Sequence, residues 1–202
     1  MSSQPDPKVP KVRDAEATKA RLLKAATDEF AAHGIAGARV DRIGAAADAN
    51  KALIYTYFGN KDRLFDAVMD HHVAEVMDVV PFTPRDLPGY AGALFDFLIA
   101  HPHQLRLATW HRLEREGSGH EPVGMRASLV RKAADIAEAQ AGGAVPEDFS
   151  PEDLLAFTMA LASAWVPASS TAPITLDGHQ DGPAAHEAHR AAVVAAVRRL
   201  IT

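Results

Sequence analysis

Residues 51–58, KALIYTYF, combine a cation, a small side chain and several hydroxyl groups within two helical turns. Ile54 and Phe58 are four residues apart and would form the apolar side of a short helix. The residues left on the outer side are Lys51, Ala52, Tyr55 and Thr56, with Tyr57 at its edge. An exposed helix with a lysine and hydroxyl groups suits the major groove of DNA, where base edges and phosphates are within reach.

A second short helix precedes this one. Val40, Ile43 and Ala47 recur at spacings of three and four, which predicts a helix with one buried side. Asp48 then interrupts the pattern. Asn50 follows as a helix cap, because its side-chain oxygen can accept a hydrogen bond from a backbone N–H of the next turn. The pattern therefore predicts two short helices joined by a tight turn.

Residues 40–64 resemble the helix-turn-helix of TetR-type transcriptional regulators. The residues that carry the resemblance are Ile43, Ala47, Asn50, Ile54, Tyr55, Tyr57, Phe58, Lys61 and Leu64. The resemblance implies an all-α protein that binds a double-stranded DNA operator as a homodimer. It also implies a regulator, by default a repressor, that responds to a small-molecule effector bound in a helical C-terminal domain. The effector and the operator sequence are not indicated.

From the helix pattern and this resemblance we predict a set of DNA-contacting residues: Arg39, Arg42, Asn50, Lys51, Ala52, Tyr55, Thr56, Tyr57 and Lys61. Lys61 opens the following helix and is expected to meet a phosphate there. Leu53, Ala38 and Arg39 depart from the family pattern, as do two acidic residues near the turn. Asp48 replaces the usual turn glycine and must adopt a left-handed backbone or alter the turn. Asp41 stands where a basic residue is common.

The formal charge is divided unevenly along the chain, although the net value is −5. Residues 1–65 hold 11 Lys and Arg against 8 Asp and Glu, whereas residues 66–202 hold 10 against 18. A basic DNA-binding part joined to an acidic body would have this distribution. The chain lacks cysteine and any apolar run long enough to span a membrane, and we expect a cytoplasmic protein.

The periodicity predicts about nine helices in three regions. Residues 1–13 contain three prolines and are expected to form a disordered basic arm. Residues 14–62 would be the helix-turn-helix domain, with a first helix from Asp14 to about His33 that ends at Gly34. Residues 63–202 would be the ligand-binding and dimerisation domain. Its helices are predicted at 61–80, 90–100, 102–116, 123–140, 151–166 and 184–200, the first of which would transmit movement to the DNA-binding part.

Two sites are predicted in this C-terminal domain. Large, soft side chains would line an apolar ligand pocket: Phe95, Leu98, Leu107, Trp110, Met125, Met159 and Trp165. The polar groups expected beside them are Thr109, His111 and Gln140. The last two helices would form the dimer interface, because small residues allow close approach: Ala156, Ala160, Ala164, Ala188, Ala192 and Ala196. The alternatives are that both sets simply fill the core of one chain.

Two other functions stay open. Ten histidines, including the pairs His71–His72, His101–His103 and His186–His189, permit a metal sensor, although no carboxylate or cysteine completes a recognisable ligand set. The same fold could also serve as a ligand-binding or protein-interaction module without operator binding. No phosphate-binding glycine loop or nucleophile motif appears, so we expect no catalytic residues, no metal and no cofactor.

Overall fold

The computed structural model describes residues 9–115, 121–167, 169 and 182–202, and all regular secondary structure in these residues is helical. The predicted all-α fold is confirmed. The helices are α1 (Val9–Gly37), α2 (Val40–Ala46), α3 (Lys51–Phe58), α4 (Lys61–Val76), α5 (Leu87–Ala100), α6 (Pro102–Arg115), α7 (Met125–Ala141), α8 (Pro151–Ser163) and α9 (Pro183–Leu200). None of these helices combines the length and hydropathy that a membrane crossing requires.

The first helix begins earlier than predicted. It starts at Val9, so residues 9–13 of the expected arm are helical, while residues 1–8 lie outside the described residues. Pro10 is compatible with this start because a proline in the first turn has no hydrogen bond to lose. Asp14 therefore lies inside the helix, where its carbonyl accepts a hydrogen bond from Thr18 Oγ1 at 2.7 Å. Gly34 interrupts the helix as predicted, with φ 66° and ψ −176°.

Caps explain where the later helices begin. The α5 helix starts at Leu87 rather than Tyr90, because Asp86 Oδ1 accepts a hydrogen bond from the Gly89 N–H at 2.9 Å. The predicted cap at Ser150 is confirmed: its hydroxyl oxygen accepts from the backbone N–H of Asp153 at 3.1 Å. The α4 and α8 helices end earlier than predicted, at Val76 and Ser163. Most of the loop predicted at 167–183 lies outside the described residues.

The chain divides into two compact units. We call "head" the described residues among Met1–His71 and Trp110–His120, and "body" those among His72–Thr109 and Glu121–Thr202. The predicted boundary at residue 62 differs from this division, since the head also includes the first part of α4 and the end of α6. Helices α4 and α6 therefore contribute residues to both units.

The head is built on the apolar residues that the periodicity singled out. Phe30, Ile43, Ile54 and Phe58 are all buried, and the rings of Phe30 and Phe65 meet edge to face with centroids 5.1 Å apart. Burial of each such side chain contributes about 2 kcal/mol to folding. This core holds α1, α2, α3 and α4 together and leaves the other side of α3 outside.

In the body, α5 packs against α8 and α9. Phe95 of α5 is fully buried, as are Ile136 of α7, Leu154 of α8 and Val197 of α9. These side chains form one apolar cluster. The helices α5, α7 and α8 that it holds together also line the cavity described below.

Candidate nucleic-acid interface and ligand cavity

The turn between α2 and α3 has the geometry of a tight helix-turn-helix. Asp48 adopts φ 48° and is the one non-glycine residue with positive φ in the described part of the chain. The carboxylate side chain therefore occupies the position that commonly needs glycine. Gly44 allows the turn to close, because a Cβ at that position would lie 3.0 Å from the Ala49 carbonyl oxygen. Asn50 caps α3 as predicted, with its Oδ1 2.9 Å from the Ala52 nitrogen.

The α3 helix shows the predicted division into two sides. Ile54 and Phe58 are buried, and Tyr57 is half-buried. The exposed residues are Lys51, Ala52, Tyr55 and Thr56, with Tyr55 52% exposed. This outer side is free to enter a groove, although its contacts with DNA stay a prediction.

The cation of α3 is paired within the head. Lys51 Nζ lies 3.0 Å from Asp41 Oδ1 in the first turn of α2. A hydrogen bond from Lys51 to Asp41, and then the charge of Asp41, raise the pKa of the lysine. Asp41, one of the departures from the family pattern, therefore forms an ion pair with the lysine that is expected to contact DNA.

A second acidic residue holds the start of α2. Glu29 of α1 accepts from Arg42 Nε and from the Arg39 backbone N–H, both at 2.8 Å. Arg42 also donates to the Gly37 carbonyl at 3.1 Å. Burial raises the pKa of Glu29, but the hydrogen bonds from Arg42 and Arg39 outweigh it and lower the pKa overall. The Arg39 side chain is exposed, whereas Arg42 is engaged in this pair.

Lys61 also has partners within the head. Its Nζ donates to the carbonyl of Ala38 at 3.2 Å and to that of Ala36 at 3.5 Å. These carbonyls follow the interruption at Gly34, and Lys61 thereby ties the start of α4 to the end of α1. Its phosphate contact stays a prediction, and the ammonium would share its N–H donors between the two roles.

The end of α6 also belongs to the head and contacts α1 and α4. These contacts were not predicted from the sequence. The Glu114 carboxylate accepts from the backbone N–H groups of Ile35 at 3.2 Å and Ala36 at 3.1 Å. Arg115 forms an ion pair with Asp66 at 2.8 Å. The partners are 49 to 79 residues apart in the chain, and no local pattern connects them.

The body contains a cavity of about 340 Å³ with mainly apolar walls. Three of the seven predicted pocket residues, Leu98, Met125 and Met159, line it. Its other apolar walls are Val73, Val76, Met77, Val80, Tyr90, Leu94, Leu105, Ala108, Leu129 and Ala160. Polar groups come from His72, Gln104, Lys132 and Ser163. A concave apolar site with few polar groups is typical of small-molecule binding.

The other four predicted pocket residues lie elsewhere. Phe95 belongs to the apolar core of the body, and Leu107 is fully buried outside the described cavity lining. Trp110 belongs to the head, where its ring approaches Gly34. Trp165 stacks on the ring of His189 at a centroid distance of 3.7 Å. The helical repeat predicts that these side chains are buried, but the element that each one contacts depends on how the helices pack.

None of the three predicted polar groups is among the described residues that line the cavity. Thr109 donates to the Leu105 carbonyl at 2.8 Å, and His111 stacks on Phe65 in the head. Gln140 donates to the carbonyls of Pro146 and Phe149. Each of these groups therefore serves local structure.

Two of the cavity's actual polar groups are unusual. Lys132 is only 4% exposed, and burial lowers its pKa more than the nearby Asp78 carboxylate raises it. Its Nζ donates to the Met77 carbonyl and lies 3.6 Å from Asp78 Oδ1. Gln104 Oε1 is buried and has no hydrogen-bond partner among the described residues. Buried acceptors of this kind are rare in folded proteins.

The two histidines of the candidate metal site on α9, His186 and His189, interact with different residues. His186 Nε2 lies 2.9 Å from Asp96 Oδ1, whereas His189 stacks on Trp165. No group of three or more His, Asp or Glu side chains suited to a metal occurs within the described residues.

Both parts of the chain match models of one protein family. Residues 22–68 match the model described as "Bacterial regulatory proteins, tetR family", and residues 86–199 match "Tetracyclin repressor-like, C-terminal domain". The first match contains the turn at Asp48 and the α3 helix. The second contains most of the body helices.

Individual relatives agree with these matches. The chain is 39% identical over 191 residues to the HTH-type transcriptional repressor SCO4008 of Streptomyces coelicolor, covering 94% of this chain and 97% of that repressor. It is 27% identical over 124 residues to the HTH-type transcriptional repressor NicS of Pseudomonas putida, covering 58% of each chain. The crystal structure of the transcriptional regulator SCO4942 of Streptomyces coelicolor gives a TM-score of 0.79 at 36% identity, covering 91% of this chain and 98% of that chain.

The helix-turn-helix geometry of the head, the helical body and these near full-length similarities agree in both units. The chain therefore belongs to the TetR family of DNA-binding transcriptional regulators.

Proposed function

We propose that this protein is a ligand-responsive repressor that binds a palindromic operator as a homodimer and is released when a small molecule occupies the body cavity. The observation that carries the proposal is the exposed side of α3, held outward by a buried Ile54–Phe58 side and a capped, left-handed turn. Such a helix reads base edges in the major groove while the neighbouring residues contact phosphates.

The roles within the head follow from the positions of its side chains. Lys51, Ala52 and Tyr55 are exposed on α3 and would meet base edges or phosphates. Thr56 donates its hydroxyl hydrogen to the Ala52 carbonyl at 3.0 Å, so its oxygen would act as an acceptor only. Arg39 and Tyr57, at the edges of this surface, would contact the backbone. Arg42 and Asn50 would act chiefly by holding α2 and α3 in place.

Exposed alanines support a dimer through α8 and α9. Ala156, Ala160, Ala188 and Ala192 are exposed in the single chain, whereas Ala164 and Ala196 are half-buried. The four exposed residues do not fill its core, and Ala160 also lines the body cavity. Small exposed residues at spacings of four allow two helix pairs to approach closely. A symmetric dimer would present two α3 helices to half-sites about 34–36 Å apart, which matches one turn of DNA.

The effector would act through the body cavity. A ligand that prefers one body conformation weakens operator binding by the ratio of its affinities for the two conformations. Helix α4 is the proposed transmitting element, because its first residues belong to the head and His72, Val73 and Val76 line the cavity. Both sets of residues lie on one continuous helix, Lys61–Val76.

The experiment is selection of genomic fragments with the purified protein at near-physiological salt, followed by sequencing. We expect a near-palindromic consensus, and a promoter carrying that site should be repressed in a reporter strain. Lys51→Ala should weaken operator binding about tenfold and alter base preference within the half-site. Lys24→Ala is the matched control, because Lys24 is an exposed lysine of α1 paired with Asp28.

Retention of every fragment equally, and only at low salt, would contradict operator recognition and support the alternative of a ligand-binding module. Equal effects of Lys51→Ala and Lys24→Ala would show that α3 does not read the operator.

A further inference from the structure

The described polar lining of the body cavity contains one basic side chain and no acidic group. Among the described residues that line it, Lys132 is the one Lys or Arg, and none is Asp or Glu. Its remaining polar groups are His72, Gln104 and Ser163. Inside the described lining, a cationic ligand would therefore meet a like charge and no acidic group, whereas an anionic ligand would meet an opposite charge.

The two polar groups of interest lie towards opposite ends of α5. Lys132 Nζ lies 5.9 Å from the centroid of the Phe82 ring, which packs edge to face on Tyr90 in the first turn of α5. Gln104 belongs to the first turn of α6 and follows the end of α5 closely. Tyr90 and Leu98, eight residues apart on α5, are separated by about 12 Å along the helix axis. The lining residues on α5, which are Tyr90, Leu94 and Leu98, therefore extend over about two helical turns and suit an extended apolar ligand.

Lys132 and Gln104 can both form hydrogen bonds with a ligand. Lys132 can donate three hydrogen bonds, and its protein partners are the Met77 carbonyl and the Asp78 carboxylate. Asp78 is mainly solvent-exposed, so it compensates only weakly for the buried ammonium. At the other end, Gln104 Oε1 is a buried acceptor without a partner among the described residues. A carboxylate at one end and a hydroxyl at the other would satisfy both groups.

We propose that the effector is an elongated, apolar monocarboxylate whose carboxylate pairs with Lys132 and whose far end carries a hydroxyl that donates to Gln104. The regulatory meaning of this site rests on the function proposed above, but its ligand class does not. The apolar walls contributed by α4, α5, α7 and α8 hold the chain of the ligand. The absence of acidic groups from the described lining selects against amines.

The test is calorimetric titration of the full-length protein, without DNA, with four probes of equal chain length: 10-hydroxydecanoate, decanoate, decan-1-ol and decylamine. We expect 10-hydroxydecanoate to bind most tightly, decanoate next, and decylamine at least tenfold more weakly than decanoate. Equal or tighter binding of decylamine would overturn the proposal. So would an affinity for decan-1-ol equal to that for decanoate.

Three variants assign the contacts. Lys132→Met should abolish the preference for decanoate over decan-1-ol, because the methionine keeps the apolar stem without the charge. Asp78→Asn should tighten decanoate binding several-fold, because it removes the competing carboxylate. Gln104→Leu should abolish the preference for 10-hydroxydecanoate over decanoate and leave decanoate affinity unchanged. Unchanged preferences in these variants would show that the polar groups serve only the structure of the body.

Two readouts separate this proposal from the repressor function. If Lys132→Met does not fold, the wild-type probe series and Asp78→Asn still decide the ligand class. Operator retention is measured separately in the absence of probes. Loss of operator binding with intact carboxylate selectivity would refute the repressor alone, and intact operator binding without that selectivity would refute the ligand class alone.

Discussion

The head and the body treat their polar groups in opposite ways. In the head, the cations beside α2 and α3 have partners within the same unit: Arg42 with Glu29, and Lys51 with Asp41. In the body, Gln104 presents a buried acceptor without a described partner, and Lys132 has a buried ammonium with a mainly exposed counter-ion. Both units have well-formed apolar cores, so the contrast does not arise from poorer packing.

The contrast indicates that the DNA-binding surface of the head is formed in advance, whereas the body cavity contains polar groups that a ligand can satisfy. Paired charges hold α2 and α3 in one arrangement before DNA arrives, which lowers the ordering cost of binding. Unsatisfied buried groups cost stability in the free protein, and a ligand that satisfies them recovers that cost on binding. Disrupting the interactions of the head should therefore affect stability and DNA binding, whereas changing the cavity should affect ligand choice first.

The largest effect is expected at Gly34, where the head depends on one backbone conformation. Gly34→Ala places a Cβ against the Glu114 carboxylate and 3.0 Å from the Trp110 ring, at a φ of 66° that alanine rarely adopts. We expect the head to lose about 3 kcal/mol of stability, and operator binding to fall with it. Chemical denaturation followed by Trp110 fluorescence in a Trp165→Phe background measures the head, since the chain has two tryptophans.

Gly37→Ala is the control for this substitution. Its φ is not in the left-handed region, and a Cβ there would lie 3.3 Å from the His33 Cβ. We expect a change of less than about 1 kcal/mol. Equal effects at the two glycines would mean that the conformation at Gly34 does not hold the head together.

A smaller effect is expected at Glu29, with a defined pH dependence. Glu29→Gln should lower the unfolding midpoint of the head by about 3 °C at pH 7, because Arg42 and the Arg39 N–H lose a carboxylate partner. The folded-state pKa of Glu29 is lowered from 4.5. Its stabilising contribution is therefore present above pH 4.5 and is lost as the pH falls through the folded pKa.

The variant and the wild type should thus converge in acid. Thermal unfolding between pH 7 and pH 3 measures this convergence. Glu16→Gln is the matched control, since Glu16 is an exposed glutamate on the same helix. A constant difference at every pH would show that the charge of Glu29 is not responsible.

The smallest effect is expected at Asp41, and it increases binding. Asp41→Asn removes the partner of Lys51, and the freed ammonium should raise operator affinity about threefold and steepen the log–log salt slope by about one. Binding isotherms at several salt concentrations measure both quantities. Asp28→Asn, which releases Lys24 in α1, is the matched control and should leave the slope unchanged. An unaltered slope for Asp41→Asn would place Lys51 away from the phosphates.

Features of the helix-turn-helix were predictable because they depend on neighbours in the chain. The Asn50 cap and the break at Gly34 each follow from a residue type at a helix end. For Asp48 the sequence left two alternatives, a left-handed backbone or an altered turn, and the structure shows the first. The buried side of α3 follows from the four-residue spacing of Ile54 and Phe58. The start of the first helix was less predictable, because three prolines in residues 1–13 indicate a disordered arm, whereas Pro10 is in fact allowed in a first helical turn.

The cavity was predicted less well. Leu98, Met125 and Met159 line it, whereas Trp110 belongs to the head and Trp165 stacks on His189. A helical repeat shows which side of a helix is apolar, but a buried side chain can face a core, a cavity or a second helix equally well. Lys132 and Gln104 carried no local signal, since each resembles an ordinary surface residue in the sequence.

The sequence alone determined the helical class, the turn, the cap and the outward side of α3, since these depend on contacts within about four residues. The tertiary structure decided which charges pair, which apolar residues enclose the cavity and where Glu114 and Lys132 act. Those outcomes depend on helices that meet after tens of intervening residues, and their crossing angles set the side chains that touch.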